Sequence, residues 1–310
     1  MFGSYRTPLT RIAPLALALA TATAALPNAA SAMAGDKEVA KLVSFGGACA
    51  KCELSGRKLT GAQFNGANFA GAALVGSDLR EARFYGANFA GADLSRADLS
   101  DSQMIGANFG SANLSNAKLR DVEAKGVSFS SANLSNADLR DLQGQGANFG
   151  KASMSGAQLN DGELTGANFS KTDARGVSFR DASMQGAVLA GGRFERASFR
   201  DTNLDSAVLS GAAFAGADFR DASLRRTMLY GVDLSKARNL EQDQLDEACA
   251  DSSTKLPQGL VARGCHGGAV RWTGWRPPTP PVAPVAPRAP ARPPTAPAPP
   301  AEPRYLISAD

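Results

Sequence analysis

Between Leu54 and Leu240 large apolar residues fall at nearly every fifth position, as in Leu59, Phe64, Phe69, Leu74, Leu79, Phe84, Phe89, Leu94 and Leu99, and no insertion or deletion shifts the phase. Two positions before each stands a small residue, as in Ala67, Ala72, Ala82, Ala87, Ala92 and Ala97, and a Gly often follows two positions after. A period of five matches neither the helical 3.6 nor the strand's 2 over such a length, so the pattern predicts a repeated turn-and-strand unit. The large residue and the small one before it are expected to point inward, because a narrow coil leaves room for little else.

A period of twenty lies over the period of five. Ala67-Asn68-Phe69 recurs as Ala87-Asn88-Phe89, Ala107-Asn108-Phe109, Val127-Ser128-Phe129, Ala147-Asn148-Phe149 and Ala167-Asn168-Phe169, and Leu189, Leu209 and Leu229 continue the column. Gly66, Gly86, Gly106, Gly126, Gly146, Gly166 and Gly186 form another, suited to a turn position of positive φ. The unit Ala-(Asp/Asn)-(Leu/Phe)-(Ser/Arg/Ala)-(Gly/Asp) resembles the pentapeptide-repeat family. The resemblance implies an all-β fold, a right-handed quadrilateral β-solenoid of about nine coils over residues 54–240, about 43 Å long at the usual strand spacing. Parallel coils in register satisfy one another's backbone, whereas open ends need covers, so short helical caps are expected at both ends.

Two departures from the pattern carry information. Ala124 and Gly144 replace large residues one coil apart, yet Val122 and Leu142 are enlarged two positions earlier. Either a ligand cavity opens there or volume has moved between the two inward positions; the enlarged neighbours favour compensated packing. Ala174, with only Thr172 beside it, is the weaker spot. The second departure is a column of acids, Glu81, Asp101, Asp121, Asp141, Asp161, Asp181, Asp201 and Asp221, each preceded in most coils by Arg: Arg80, Arg120, Arg140, Arg180, Arg200 and Arg220. At about 4.8 Å, adjacent like charges repel by roughly 0.9 kcal/mol in water before screening. The favoured explanation is structural, with Asp tolerating the turn geometry and the Arg column neutralising the charge. The functional alternative is a ladder that recognises an extended envelope polymer or collects divalent cations.

Outside the array, Arg6 and Arg11 precede an apolar run from Ile12 to Leu26, and Ala30-Ser31-Ala32 offers a cleavage site. Residues 1–32 therefore read as a secretory signal peptide, with no transmembrane segment left after cleavage and a periplasmic or secreted location; an uncleaved anchor fits less well, given Pro14, Pro27 and the short core. Residues 33–53 form an N-terminal cap, with apolar spacing over Asp36–Ser44 that predicts a short amphipathic helix. Cys49-Ala50-Lys51-Cys52 admits a redox site, half a metal site or a local bridge, and a structural disulfide is favoured, since Glu53 stands where haem attachment needs His. Residues 241–270 read as a C-terminal cap, with a helix from about Glu241 to Ala250 capped by Asn239 and the pair Cys249 and Cys265 beyond. This ending, Leu240 to Lys255-Leu256-Pro257 before a second Cys, is similar to segments attached to bacterial pentapeptide arrays. Of three possible pairings, two join opposite ends of a rod, beyond the roughly 6 Å reach of a disulfide, which leaves Cys49–Cys52 and Cys249–Cys265. Residues 271–310 are a Pro/Ala-rich tail of disordered composition, a spacer or a ligand for a proline-recognising partner. Trp272 and Trp275 either stack on a sugar ring or finish the cap.

The 33 basic and 29 acidic residues nearly balance. That argues against nucleic acid as a partner and against the acidic DNA mimicry of some pentapeptide proteins that bind gyrase. His266 is the sole histidine, and no metal-ligand spacing, nucleophile elbow or phosphate loop appears, so no enzyme activity and no cofactor is expected. The sequence thus points to a non-catalytic exported scaffold or protein-interaction solenoid of the bacterial envelope, with a polysaccharide- or cation-binding module as the alternative; partner identity and oligomeric state are left open.

Overall fold

The structure, a computed structural model, describes residues 46–264. The readings of residues 1–45 and of Cys265, His266, Trp272, Trp275 and the Pro/Ala tail lie outside the described residues.

One register governs the array. Parallel bridges join each residue i to i+20, from Ala48↔Asn68 through Asp218↔Arg238, and they fall every five residues along the chain. Four bridge columns per turn of twenty residues give a β-solenoid with four faces. We call face 1 the column Ala48–Asn68–Asn88, face 2 Glu53–Ala73–Asp93, face 3 Lys58–Asp78–Asp98 and face 4 Gln63–Arg83–Gln103. Each face is too short for a long strand because its flanking corners turn the chain, and the corner is closed by a local bond such as Ala72 N–H to Phe69 O at 2.9 Å. The third residue of each corner takes positive φ, which Gly meets without strain, as at Gly66 and Gly86 (67° and 61°). The ladder already includes Cys49 to Cys52, a stretch the sequence pattern assigned to the cap.

The inward columns form the core. Phe69, Phe89, Phe109, Phe129, Phe149 and Phe169 are fully buried, with successive ring centroids 4.7–5.4 Å apart and near-parallel planes. Where Leu189 takes over, the aromatic filling moves to neighbouring faces: Phe169 meets Phe179 edge-on at 5.4 Å, and Phe179, Phe199 and Phe219 then stack at 5.1–5.2 Å. The expected compensation also holds. Val122, Ala124 and Leu142 are all fully buried, and a Cβ added at Gly144 would meet Leu142 Cδ2 and Leu164 Cδ2 at 3.1 Å, so no vacant volume lies there. Thr172, beside Ala174, is fully buried and donates its hydroxyl to Phe149 O at 2.8 Å, which satisfies the one polar group it brings inside.

The C-terminal end departs from expectation. Helix α1 is a single turn, Gln242–Leu245, and its N-cap is Glu241, which forms a capping box with Gln244. Asn239 does not cap it; its φ is +53° and its amide donates to Asp218 Oδ1 at 2.7 Å. The ten-residue helix fails because the last coil presents unpaired ladder groups that recruit the same residues. Arg226 N–H bonds to Glu247 O, Leu229 N–H to Cys249 O, and Cys249 N–H to Thr227 O, at 2.7–2.8 Å. Strand β1 (Cys249–Ala250) thus continues face 1, Lys255 continues face 2 opposite Asp233, and strand β2 (Arg263–Gly264) pairs parallel with β1. The cap still buries the predicted apolar residues Leu240, Leu245 and Ala248.

Candidate interaction surface

The acidic column occupies a corner. Glu81, Asp101, Asp121, Asp141, Asp161, Asp181, Asp201 and Asp221 all have φ between 55° and 60° and are exposed. The turn half of the sequence explanation therefore stands: an acidic side chain tolerates the left-handed region where Gly is missing. The charge half involves no direct ion pair, although Arg80 still feels the charge of Glu81. None of these carboxylates makes a hydrogen bond or ion pair with another described residue. Their tie to the Arg column is through the backbone, as in Asp101 N–H to Arg120 O at 2.9 Å and Asp161 N–H to Arg180 O at 2.9 Å.

The Arg side chains turn the other way, onto face 3. Arg80 pairs with Asp78 at 2.7 Å, Arg120 and Arg140 both hold Asp138, and Arg200 reaches Asp218 at 3.6 Å. The reason is geometric. A residue two positions earlier, or eighteen later on the next coil, lies across a flat face, whereas the adjacent corner Asp points away from it. Arg180 finds only Ser198, to which its Nε donates at 3.4 Å, and the Arg220 side chain has no partner among the described residues.

These contacts set the electrostatics. The Arg80 guanidinium beside Asp78 holds that carboxyl at about 2. At Asp218 burial acts to raise the pKa, but the Asn239 amide, the Arg220 N–H and the Arg200 and Arg238 charges outweigh it and leave the group below the usual carboxylate range. Asp251, in the C-terminal cap, accepts from Gly231 N–H, the Thr254 hydroxyl and the Ser253 hydroxyl and backbone, and is held at about 2.

A further ladder had a visible sequence signal. On face 1 Asn88 donates its amide to Asn68 Oδ1, Asn108 to Asn88, and Asn168 to Asn148, each at 3.1 Å, while the same Oδ1 atoms accept backbone N–H groups two residues on. The recurrence of Asn between the Ala and Phe columns carries that information, since an amide is the side chain that both donates and accepts along a stack.

At the N-terminal end Cys49 and Cys52 are joined in a disulfide, both buried. Cys49 stands twenty residues before Phe69 and Cys52 twenty before Ala72, so the bridge extends an inward column pair and closes the corner between them. Cys265, the proposed partner of Cys249, lies outside the described residues. No three described His, Cys, Asp or Glu side chains converge to hold a metal ion; the acidic column is a line and not a cage.

With the i to i+20 register established, the family models decide the relationship: pentapeptide-repeat models match residues 50–103, 92–169, 163–201 and 202–238, continuous over more than half of the chain. The chain belongs to the pentapeptide-repeat family. Among solved structures, this pentapeptide-repeat protein is similar to HetL, involved in heterocyst differentiation regulation in the cyanobacterium Nostoc sp., at 23% identity over 74% of this chain and 99% of that one, with a TM-score of 0.49. It is similar to QnrB1, a plasmid-mediated fluoroquinolone resistance protein, at 22% identity over 60% and 90% of the two chains, with a TM-score of 0.29. A thylakoid-lumen pentapeptide-repeat protein of Arabidopsis thaliana gives 24% identity over 40% and 72%, with a TM-score of 0.18. No curated protein matches the chain.

Proposed function

We propose that this pentapeptide-repeat protein is a non-catalytic, exported scaffold of the bacterial cell envelope that engages an extended protein or polymer through its acidic corner. The observation that carries the reading is the set of eight corner carboxylates, held in line by the i to i+20 register and without a hydrogen bond or ion pair to any described side chain. These carboxylates make no direct ion pair with the adjacent Arg column, whose paired guanidinium groups turn onto face 3. Export is supported by the apolar run from Ile12 to Leu26 and the small residues Ala30-Ser31-Ala32. A right-handed rod of about nine coils would space the carboxylates at about 4.8 Å, a pitch suited to repeated basic groups on a partner.

The test is a native pull-down from the periplasm with the full chain and with Asp141, Asp161 and Asp181 all replaced by Lys. The wild type should capture a partner that the variant loses, while the variant's melting temperature stays nearly the same. Loss of stability without loss of any partner would reduce the column to a turn device. Polysaccharide is the second candidate, favoured by the same regular pitch, and a glycan array separates it from a protein partner. Cation collection is the weaker branch, because no three carboxylates converge among the described residues.

A further inference from the structure

On face 3 the carboxylates at positions 78, 98, 138 and 218 are each neutralised by a neighbouring cation, Asp78 by Arg80, Asp98 by Lys118, Asp138 by Arg120 and Arg140, and Asp218 by Arg200. The pattern is interrupted over three successive coils. Here the column reads Gln158, Ser178 and Ser198. The cations at the edges are retained: Arg180 stands at one corner and Arg196, at φ +60°, at the other. Arg180 has only its 3.4 Å bond to Ser198, and Arg196 has neither ion pair nor side-chain hydrogen bond among the described residues.

The same coils form an open groove lined by Gln158, Asn160, Ser178, Arg180, Arg196 and Ser198, in which the Ser178 hydroxyl donates to Asn160 Oδ1 and is not itself a free donor. Gly176, at φ +65°, adds no side chain at the corner beside the groove. The floor supplies neutral donors. Ser198 accepts from Arg180 and so has its own hydroxyl proton free to donate, and the Gln158 amide is exposed. Two Arg residues on the rim of one groove, with hydroxyl and amide groups between them, suit an oxyanion with several acceptor atoms, and a phosphate has more of these than a carboxylate. Asp181 shares the corner of Arg180 and Glu195 adjoins Arg196, so the surrounding charge is mixed and contact at the groove counts for more than long-range steering.

We infer that the face 3 groove between Arg180 and Arg196 is a binding site for a phosphate group. This is a site separate from the acidic corner and does not depend on its role. The ligand is either a free phosphate ion or a phosphodiester of an extended polymer.

Two probes distinguish these sources: inorganic phosphate and poly(glycerol phosphate), each titrated calorimetrically into the purified full chain in a constant chloride background. Three proteins are compared, the wild type, Arg196→Ala and Ser178→Asp. The last places at position 178 the carboxylate that positions 78, 98, 138 and 218 already carry, so it is expected to fold as the wild type does and to engage the Arg groups internally. Saturable binding of at least one probe, weakened about tenfold or more in both variants at unchanged melting temperature, supports the site. Preference for the polymer identifies a phosphodiester ligand, and equal or better binding of inorganic phosphate identifies the free ion. No saturable binding of either probe, or binding that both variants retain at wild-type strength, overturns the inference.

Discussion

Leu142 fills the space that the side chain of Gly144 leaves empty: a Cβ at Gly144 would lie 3.1 Å from Leu142 Cδ2. The two positions share one allotment of volume. Leu142→Ala should therefore destabilise by about 2–5 kcal/mol through a cavity, and Gly144→Leu by about 1–3 kcal/mol or more through overpacking. The double variant Leu142→Ala with Gly144→Leu restores the arrangement of the neighbouring coils and should recover most of the loss. Denaturant unfolding of all four proteins measures the coupling. Strict additivity would show that the compensation is not real.

The Phe column should tolerate charge least. Phe129 is fully buried between Phe109 and Phe149. Phe129→Asp puts a carboxylate where no donor reaches it, and hydrogen exchange should show the adjacent coils opening while those near Phe219 keep their protection. Phe129→Ala is the milder case, at about 3–5 kcal/mol.

Acid should weaken the fold in a defined window. Asp78 and Asp251 have folded pKa values of about 2, below the roughly 3.9 of an unfolded Asp. A depressed folded pKa stabilises above the unfolded value and ceases to do so as pH falls through the folded one. Their contribution is thus complete at neutral pH and lost between about pH 4 and pH 2. The unfolding midpoint, followed over this range, should fall less steeply in Asp78→Asn with Asp251→Asn than in the wild type.

The disulfide should be a local clamp. Peptide mapping without reductant is expected to recover Cys49 linked to Cys52. Replacing both by Ala should speed exchange at Leu54 and Leu59 and leave the coils around Phe169 unaffected, because each coil rests mainly on its neighbours. Free thiols in protein purified from the periplasm would contradict the assignment.

The features legible in the sequence were those that repeat. A period of five with twenty over it fixed which residues point inward, and Ala124 with Val122 and Gly144 with Leu142 disclosed the exchange of volume. Two of the left-handed corner columns were legible, one from its recurring Gly and one from its recurring Asp, whereas corners such as Lys51, Arg96 and Lys171 carried no such signal. The ion pairs were not legible. Arg120 is next to Asp121 in sequence, but its partner is Asp138, and that choice depends on which way the corner aims each side chain. Nor was the short helix α1, because residues Glu247 to Cys249 satisfy the helical pattern and the open ladder equally well until the edge at Arg226 to Leu229 is in view. The amide stack of Asn68, Asn88 and Asn108 has its sequence signal in the Asn that recurs every twenty residues between the Ala and Phe columns.

The measurement that bears most directly on the account is a spin-label distance between Asp101→Cys and Asp181→Cys in the full chain. Both residues are exposed on the acidic corner and are four registers of twenty apart. A continuous ladder places their backbones about 19 Å apart at the usual strand spacing, so pulsed electron resonance should give a narrow distribution near that value, broadened by the label arms. A broad distribution, or a mean beyond about 30 Å, would contradict the unbroken register and, with it, the aligned carboxylates on which the proposed function depends.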